Sequence, residues 1–179
     1  MNLSRIFLLS KYFIKSKWKF LPPSKKKFLI FDGIINPFHK YFNKKDMNVL
    51  YRRGEEINFF ILINCILNFS LNSWTYYRFF IKYSDPKIIL TAIDNSMVFY
   101  CLKEITKIPT ISVQNTQRTY MDDLSFIKKL KQYSDEGKLG FIAQNNNQAL
   151  LAKKHFGEKA DVFVSGLWTN DMEMSMTVD

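Results

Sequence analysis

The chain has 179 residues, 47% of them hydrophobic and 23% charged, which is enough apolar material for one sizeable core and too little length for two full domains. Its formal charge is +10, but eight Lys or Arg and no acid lie in the first 27 residues, which leaves +2 for the remainder. The body is close to neutral. A nucleic-acid-binding protein is therefore disfavoured, because only the N-terminal arm carries the charge for one.

Residues 1–24 form a cationic arm in which lysines and Arg5 alternate with large apolar side chains. This mixture is typical of an amphipathic helix in an anionic membrane interface, and equally of a helix that packs on its own domain with a solvated basic face. The apolar run Ile6–Leu9 is too short for a signal peptide, and no small-residue cleavage site follows it. Pro22-Pro23 separates the arm from the body, for which we predict one α/β lobe over residues 25–166.

Six short apolar runs are predicted as β-strands. Each is continuous in hydrophobic character, as expected of strands buried on both faces of a parallel sheet. The runs are Phe28–Phe31, Met47–Tyr51, Lys87–Ile93, Thr110–Val113 and Leu139–Ala143, with a sixth candidate at Asp161–Val164. Because helical segments separate them, the sequence predicts a Rossmann-like, doubly wound parallel sheet of five or six strands. We interpret residues 167–179 as the start of a second lobe that is missing from this chain.

The first predicted helix covers Ile57–Leu71 and carries an asparagine stripe at positions 58, 64, 68 and 72. We expect a well-buried amphipathic helix, too short to span a membrane, with Glu55 and Glu56 in its first turn. Cys65 and Cys101 lie in apolar helical stretches, and we interpret both as reduced core thiols. Further helices are expected over Tyr76–Tyr83, from Asn95 or Ser96 to Ile105, and from Asn145 or Asn146 to Gly157.

Polar residues follow every one of the first five predicted strands. They are Asp32-Gly33, Arg52-Arg53-Gly54-Glu55, Asp94-Asn95, Gln114-Asn115 with Arg118 close behind, and Gln144-Asn145-Asn146. Each taken alone is explained by helix capping, a tight turn or a solvated arginine. Ligands of open parallel sheets bind beyond the carboxyl ends of the strands, so the five together predict a polar cleft for hydroxyl-rich or phosphorylated ligands.

Asp94 is the predicted general base of this cleft. A carboxylate at a strand end near a helix start can be held in place and directed at an acceptor hydroxyl, although the same residue could serve as a helix N-cap. The predicted substrate-binding residues are Arg53, Glu55, Asn95, Gln114, Asn115 and Arg118. The two arginines are suited to phosphate or a sugar carboxylate, and the amides to sugar hydroxyls.

Several cofactor and metal motifs are missing from the sequence. It contains neither G-x-G-x-x-G after the first strand nor G-x-x-x-x-G-K-[ST], so dinucleotide oxidoreductases and P-loop enzymes are disfavoured. His39 and His155 have no partner at metal-ligand spacing, and Asp122-Asp123 is interpreted as the start of a helix. We therefore expect no metal and no bound cofactor in this chain.

Three segments together resemble bacterial surface-carbohydrate biosynthesis proteins of the glycosyltransferase type. They are Leu50 to Asn58, Asp85 to Asn95 with Phe99-Tyr100 following, and Ser112-Val113-Gln114-Asn115-x-x-Arg118. The resemblance covers about Lys26 to Asn170, and its more specific pieces are Ile93-Asp94-Asn95 and Gln114-Asn115-x-x-Arg118. Thr116 departs from the glycine that the family pattern has there.

The resemblance implies the N-terminal lobe of a two-lobed GT-B glycosyltransferase. In that class the N-terminal lobe receives the glycan acceptor and the C-terminal lobe binds the sugar nucleotide. Ser165-Gly166 followed by Asn170 resembles the crossing between lobes. The resemblance further implies metal-independent sugar transfer, a cytoplasmic place at the inner membrane face, and a chain inactive without its donor-binding lobe.

Two other classes of protein compete with this interpretation. A non-catalytic module could bind a glycan or a protein while its cationic arm contacts the membrane. A small nucleic-acid-binding protein would need salt-sensitive binding that is lost with the arm.

Overall fold

The computed structural model describes residues 14–33, 37–115, 139–157 and 160–166. The chain has an α/β fold with a mostly parallel six-stranded sheet flanked by helices, which confirms the predicted Rossmann-like class. It consists of two compact units, Met1–Lys87 and Ile88–Asp179. The tail 167–179 and arm residues 1–13 lie outside the described ranges.

In its described residues the first unit contains four short strands: β1 (Lys17–Lys19), β2 (Phe28–Phe31), β3 (Met47–Leu50) and β4 (Glu56–Asn58). β2 and β3 run parallel, with Phe28 opposite Met47 and Phe31 opposite Leu50. β1 and β4 form a separate parallel pair. The 3₁₀ turns Pro37–Lys40 and Lys44–Asp46 lie between β2 and β3.

Within the described ranges the first unit also contains helix α1 (Phe59–Leu67) and helix α2 (Ser73–Ser84). Asparagines cap both, since the side chain of Asn58 accepts from the Ile61 N–H and that of Asn72 from the Thr75 N–H. α2 ends at Asp85, which adopts a left-handed φ of 46° immediately before Pro86.

The second unit contains β5 (Ile88–Thr91), β6 (Thr110–Val113), β7 (Leu139–Ala143) and β8 (Ala160–Val164), paired in that order and all parallel. The short helix α3 (Met97–Tyr100) continues into a 3₁₀ turn, Cys101–Glu104. Helix α4 (Asn146–Phe156) is capped by Asn145 and ends at Gly157, whose φ is 61°. Ser96 caps α3. Of the cap residues that the sequence left open, the structure therefore has Ser96 and not Asn95 for α3, and Asn145 and not Asn146 for α4.

The core of each unit forms where the continuous apolar strands meet aromatic side chains of the helices. In the first unit the Phe31 ring packs edge-on against Tyr77 of α2, with centroids 5.4 Å apart. In the second unit Phe141 on β7 packs against Phe156 on α4 at 5.3 Å. Cys65 and Cys101 are buried and free, as predicted, and burial raises the pKa of both thiols.

Four local predictions are wrong. Residues 17–19 of the arm form a strand, because β1 pairs along its whole length with β4. That pairing draws Glu56 to Asn58 into extended backbone, so α1 begins at Phe59 and neither Glu55 nor Glu56 lies in its first turn. α1 is not well buried: only one side of it packs inward, and several of its apolar residues face solvent. Strand β8 is also half exposed, not covered on both faces.

Asn58 should contribute more stability than the matching cap at Asn72. It is buried, and besides capping α1 its side-chain amide donates to the Leu21 carbonyl at 2.9 Å, which ties the proline segment to the helix. We expect Asn58→Ala to lower the free energy of unfolding by about 2 kcal/mol and Asn72→Ala, an exposed cap, by about 1 kcal/mol. Denaturant titration of both variants measures the difference, and equal losses would contradict a role for the Leu21 contact.

Candidate functional site

Strand-end residues occur in both units. In the first unit, Asp32 follows β2 and lies beside two arginines that follow β3. Its Oδ2 is 3.5 Å from an Arg52 guanidinium nitrogen and 3.8 Å from one of Arg53. The Arg52 guanidinium also lies over the Phe31 ring, 5.7 Å from the centroid. Asp32, Arg52 and Arg53 therefore form a charged cluster at the carboxyl ends of two adjacent strands.

The backbone conformation at Asp32 places its carboxyl group in the charged cluster. Its φ of 60° is left-handed, a conformation that Asp tolerates better than most residues. Its N–H donates to the Leu50 carbonyl at 2.9 Å, continuing the β2–β3 pairing by one residue. A Cβ on the next residue, Gly33, would overlap Cγ1 of Val49, so a larger residue there would displace the Val49 side chain.

Asp32 is an incompletely satisfied buried carboxyl. Its side chain is 1% exposed, and Oδ1 has no hydrogen-bond partner among the described residues. Burial raises the pKa of Asp32 above its ordinary value of 3.8, opposed by Arg52 and Arg53, while Glu55 raises the pKa further. Because the ion pairs are long and use one carboxyl oxygen, they do not offset the cost of removing the charge from water.

A cavity of about 480 Å³ opens beside the charged cluster. Its walls include residues that directly follow β3, together with residues of α1 and α2. Tyr51, Arg52, Glu56, Tyr76 and Tyr77 give it three phenol rings and charges of both signs. Aromatic walls with a few polar groups are the usual construction of a small-molecule site.

Tyr51 and Tyr76 keep their protons at neutral pH and can donate hydrogen bonds into this cavity. Burial raises the pKa of Tyr76 to about 12, partly offset by the Asn58 N–H, which donates to the Tyr76 hydroxyl at 2.8 Å. Burial raises the pKa of Tyr51, and the negative charges of Glu56 and Glu55 raise it further. The β3–β4 loop at the cavity rim is held by Ser16, whose hydroxyl donates to the Gly54 carbonyl, and by the Lys17 N–H, which donates to the Glu55 carbonyl at 2.9 Å.

In the second unit, Asp94 and Asn95 follow β5 in a turn. Asp94 is fully buried, so an acceptor hydroxyl reaches its carboxyl group only if neighbouring residues move. Its main-chain carbonyl accepts from the Tyr100 hydroxyl at 2.7 Å. The capping role that competed with catalysis belongs to Ser96, two residues later, and Asn95 is exposed.

Gln114 lies in a buried amide network at the end of β6. Its Nε2 donates to Gln148 Oε1 at 2.6 Å, and its Oε1 accepts from the Gln144 N–H at 3.2 Å. Gln144 Nε2 in turn approaches the Gln114 carbonyl at 3.4 Å. Gln114 is fully buried, so in this structure its amide joins β6, β7 and α4 instead of facing an open cleft.

The remaining predicted site residues lie in the first unit, in the second unit or outside the described residues. Arg53 is 62% exposed and its N–H donates to a Glu55 carboxyl oxygen at 3.1 Å, so these two belong to the first-unit cluster. Asn115 is half-buried after β6. Arg118, Thr116 and Asp122-Asp123 lie outside the described residues. The roles predicted for all of these stay predictions.

The sequence places Asp32 and Arg52 at strand ends but does not by itself indicate a role for either in the site. The available signal was local: an aspartate before a glycine after one strand, and a pair of arginines after the next. Their proximity follows from β2 and β3 being neighbours, which the order of elements along the chain does not specify by itself.

Neither a metal cluster nor a membrane span is found in the described ranges. No group of three or more His, Cys, Asp or Glu there could hold a metal ion. No helix there is long and apolar enough to cross a membrane. Compared with known proteins, the chain matches no family model, no curated protein and no solved structure.

Proposed function

We propose that this chain is the acceptor-binding lobe of a glycosyltransferase-like protein that builds a bacterial surface polysaccharide. A second lobe would bind the sugar nucleotide, and this chain alone would be inactive. The proposal places the protein in the cytoplasm at the inner face of the membrane. The observation that carries it is the 480 Å³ cavity at the end of β3, walled by three tyrosines and adjoining the Asp32–Arg52–Arg53 cluster.

These residue types suit an acidic or phosphorylated glycan. Flat phenol rings provide apolar area against the C–H faces of a sugar, and their hydroxyls bond to sugar hydroxyls. Arg52 and Arg53 can each bind a carboxylate or phosphate through parallel N–H groups. Arg52 is already oriented by Phe31 and Asp32, which reduces the entropy lost on binding.

Within this proposal Asp94 remains the general base, and Asn95, Asn115 and Arg118 remain acceptor-binding residues, whereas the buried amide of Gln114 supports the ends of the strands around it. Sugar transfer by the full-length parent should then be lost on Asp94→Asn while the fold is retained. Transfer that continues unchanged in Asp94→Asn would remove Asp94 from the mechanism.

Arg52 and Arg53 should determine acceptor binding. We expect calorimetry with acidic surface-glycan fragments to show binding by the chain, and Arg52→Gln and Arg53→Gln each to weaken it about tenfold through loss of a charge-assisted contact. Arg78→Gln, a change of the same chemistry at an exposed position on α2, should leave the affinity unchanged.

The same titrations separate this proposal from its rivals. Tight binding of a sugar nucleotide in the cavity would assign the chain to the donor side and overturn the proposal. A non-catalytic glycan-binding module is favoured by two observations, the complete burial of Asp94 and the internal bonding of Gln114. It predicts glycan binding by a parent protein that transfers no sugar.

A further inference from the structure

Helix α1 exposes an apolar stripe opposite its buried side. Phe59, Ile63, Ile66 and Leu67 are all exposed, and their spacing places them within about 100° of one another around the helix. Ile61 and Cys65 occupy the other side and are buried. A helix that is apolar on both sides is expected to be covered on both.

The stripe continues beyond both ends of the helix. At the start, the Phe59 ring lies 5.6 Å from Phe20, which is 67% exposed. At the end, Leu67 is 69%, Phe69 99% and Leu71 68% exposed. Large contiguous apolar patches on a protein surface mark contacts with other molecules.

Phe69 is presented outward at an energetic cost. The Phe69 N–H donates to the Ile66 carbonyl and the Ser70 N–H to the Cys65 carbonyl, at 2.9 and 3.0 Å, which is a Schellman ending. The residue at this position takes a left-handed conformation and is usually glycine, yet here it is a phenylalanine with φ 52°. A strained and fully exposed aromatic residue at a helix end is a candidate anchor.

The polar groups along this edge are compatible with a lipid headgroup region. No charged residue occurs from Ile57 to Tyr77. The asparagine amides there bond internally: Asn64 donates to the Phe60 carbonyl, Asn68 to the Asn64 carbonyl and Asn72 to Ser70 Oγ, each at 2.8 Å. Burying this edge in the interface therefore leaves few new unsatisfied donors.

Cations accompany the stripe. Six lysines and no acid lie between Lys15 and Lys27, and Lys15 and Lys17 are exposed in the segment that leads to Phe20. Each cation near an anionic bilayer adds to binding. We infer that the apolar stripe of α1, with Phe20 and Phe69 at its ends, is a docking surface for an anionic lipid bilayer, on which α1 lies in the headgroup region.

The docking surface rests on the membrane location in the proposed function and says which residues contact the bilayer. Its test needs neither glycan nor sugar nucleotide. The chain should co-sediment with phosphatidylglycerol vesicles and much less with phosphatidylcholine vesicles, and high salt should weaken binding. Phe69→Gly should lower the partition coefficient about tenfold through loss of one inserted aromatic side chain.

The Phe69→Gly variant contains its own control for folding. Glycine relieves the left-handed strain, so thermal stability should be maintained or increased while vesicle binding falls. A matched variant is Leu150→Ser on α4, which removes an apolar side chain of 66% exposure from the second unit and should leave binding unchanged.

Three results would overturn the docking surface. They are no binding to anionic vesicles, equal binding by wild type and Phe69→Gly, or a concentration-dependent dimer that Phe69→Gly abolishes in the absence of lipid. The last would make the stripe a contact between two copies of the chain. Glycan calorimetry is done without lipid, so the failure of either proposal is seen separately.

Discussion

Gln114→Glu should destabilise the protein by about 3 kcal/mol at pH 7, because it breaks a buried amide network and buries a charge. The new carboxyl oxygen would face Gln148 Oε1, which now accepts a hydrogen bond at 2.6 Å. The folded state would raise the pKa of this carboxyl group, so the loss should shrink as pH falls and the group is protonated. Denaturant titrations at pH 7 and pH 5 measure both the loss and its recovery.

Asn146→Asp is the matched control for Gln114→Glu. It makes the same amide-to-carboxylate change at an exposed position in the first turn of α4, where the helix dipole favours a negative charge. We expect a change within about 0.5 kcal/mol. Similar small effects of the two variants would show that Gln114 faces solvent, which is the arrangement that direct sugar binding requires.

The strands were predictable because each buried strand is a continuous apolar run between polar turns. The runs Phe28–Phe31, Thr110–Val113 and Leu139–Ala143 match β2, β6 and β7 residue for residue. A cap at Asn145 or Asn146 and the stop at Gly157 were also predictable, since both depend on residues within one helical turn, and the structure has the cap at Asn145. Local physics is sufficient for such elements.

The pairing of β1 with β4 could not be predicted in the same way. Three residues, Lys17 to Lys19, have no strand periodicity of their own and read as part of a basic amphipathic helix. They become a strand only because Glu56 to Asn58 pairs with them from 39 positions further along. This non-local pairing also shortens α1 at its start and removes the two glutamates from its first turn.

The candidate site was predictable as a set of strand ends and not as a set of contacts. Gln114 looks like a cleft residue until Gln148, 34 positions later, is seen to accept its amide proton. The sequence alone allows Asp94 to be a helix N-cap, but in the structure Ser96 caps α3. Asp32 gains its unusual environment from Arg52 and Arg53 on the neighbouring strand end, so its burial and raised pKa depend on tertiary structure.

Asp32→Asn should remove a pH dependence of folding stability that the wild type shows. The folded state raises the pKa of Asp32 above the unfolded value near 3.8, so its contribution to stability is fully present below that value and is lost as pH rises through the folded pKa. Asparagine keeps the shape, tolerates φ 60° and carries no charge. At pH 7 the variant should therefore be at least as stable as the wild type, and subtracting the two stability curves isolates the titration of Asp32.

Asp32→Ala separates the backbone effect from the charge. Alanine also lacks the charge but is disfavoured in the left-handed region, so it should be less stable than Asp32→Asn by about 1 kcal/mol at every pH. An Asp32→Asn variant less stable than wild type at pH 7 would show that the arginine contacts outweigh the burial of the carboxylate. If a glycan hydroxyl bonds to Oδ1, it stabilises the charged form, so a saturating acceptor should flatten the wild-type curve and leave that of Asp32→Asn unchanged in slope.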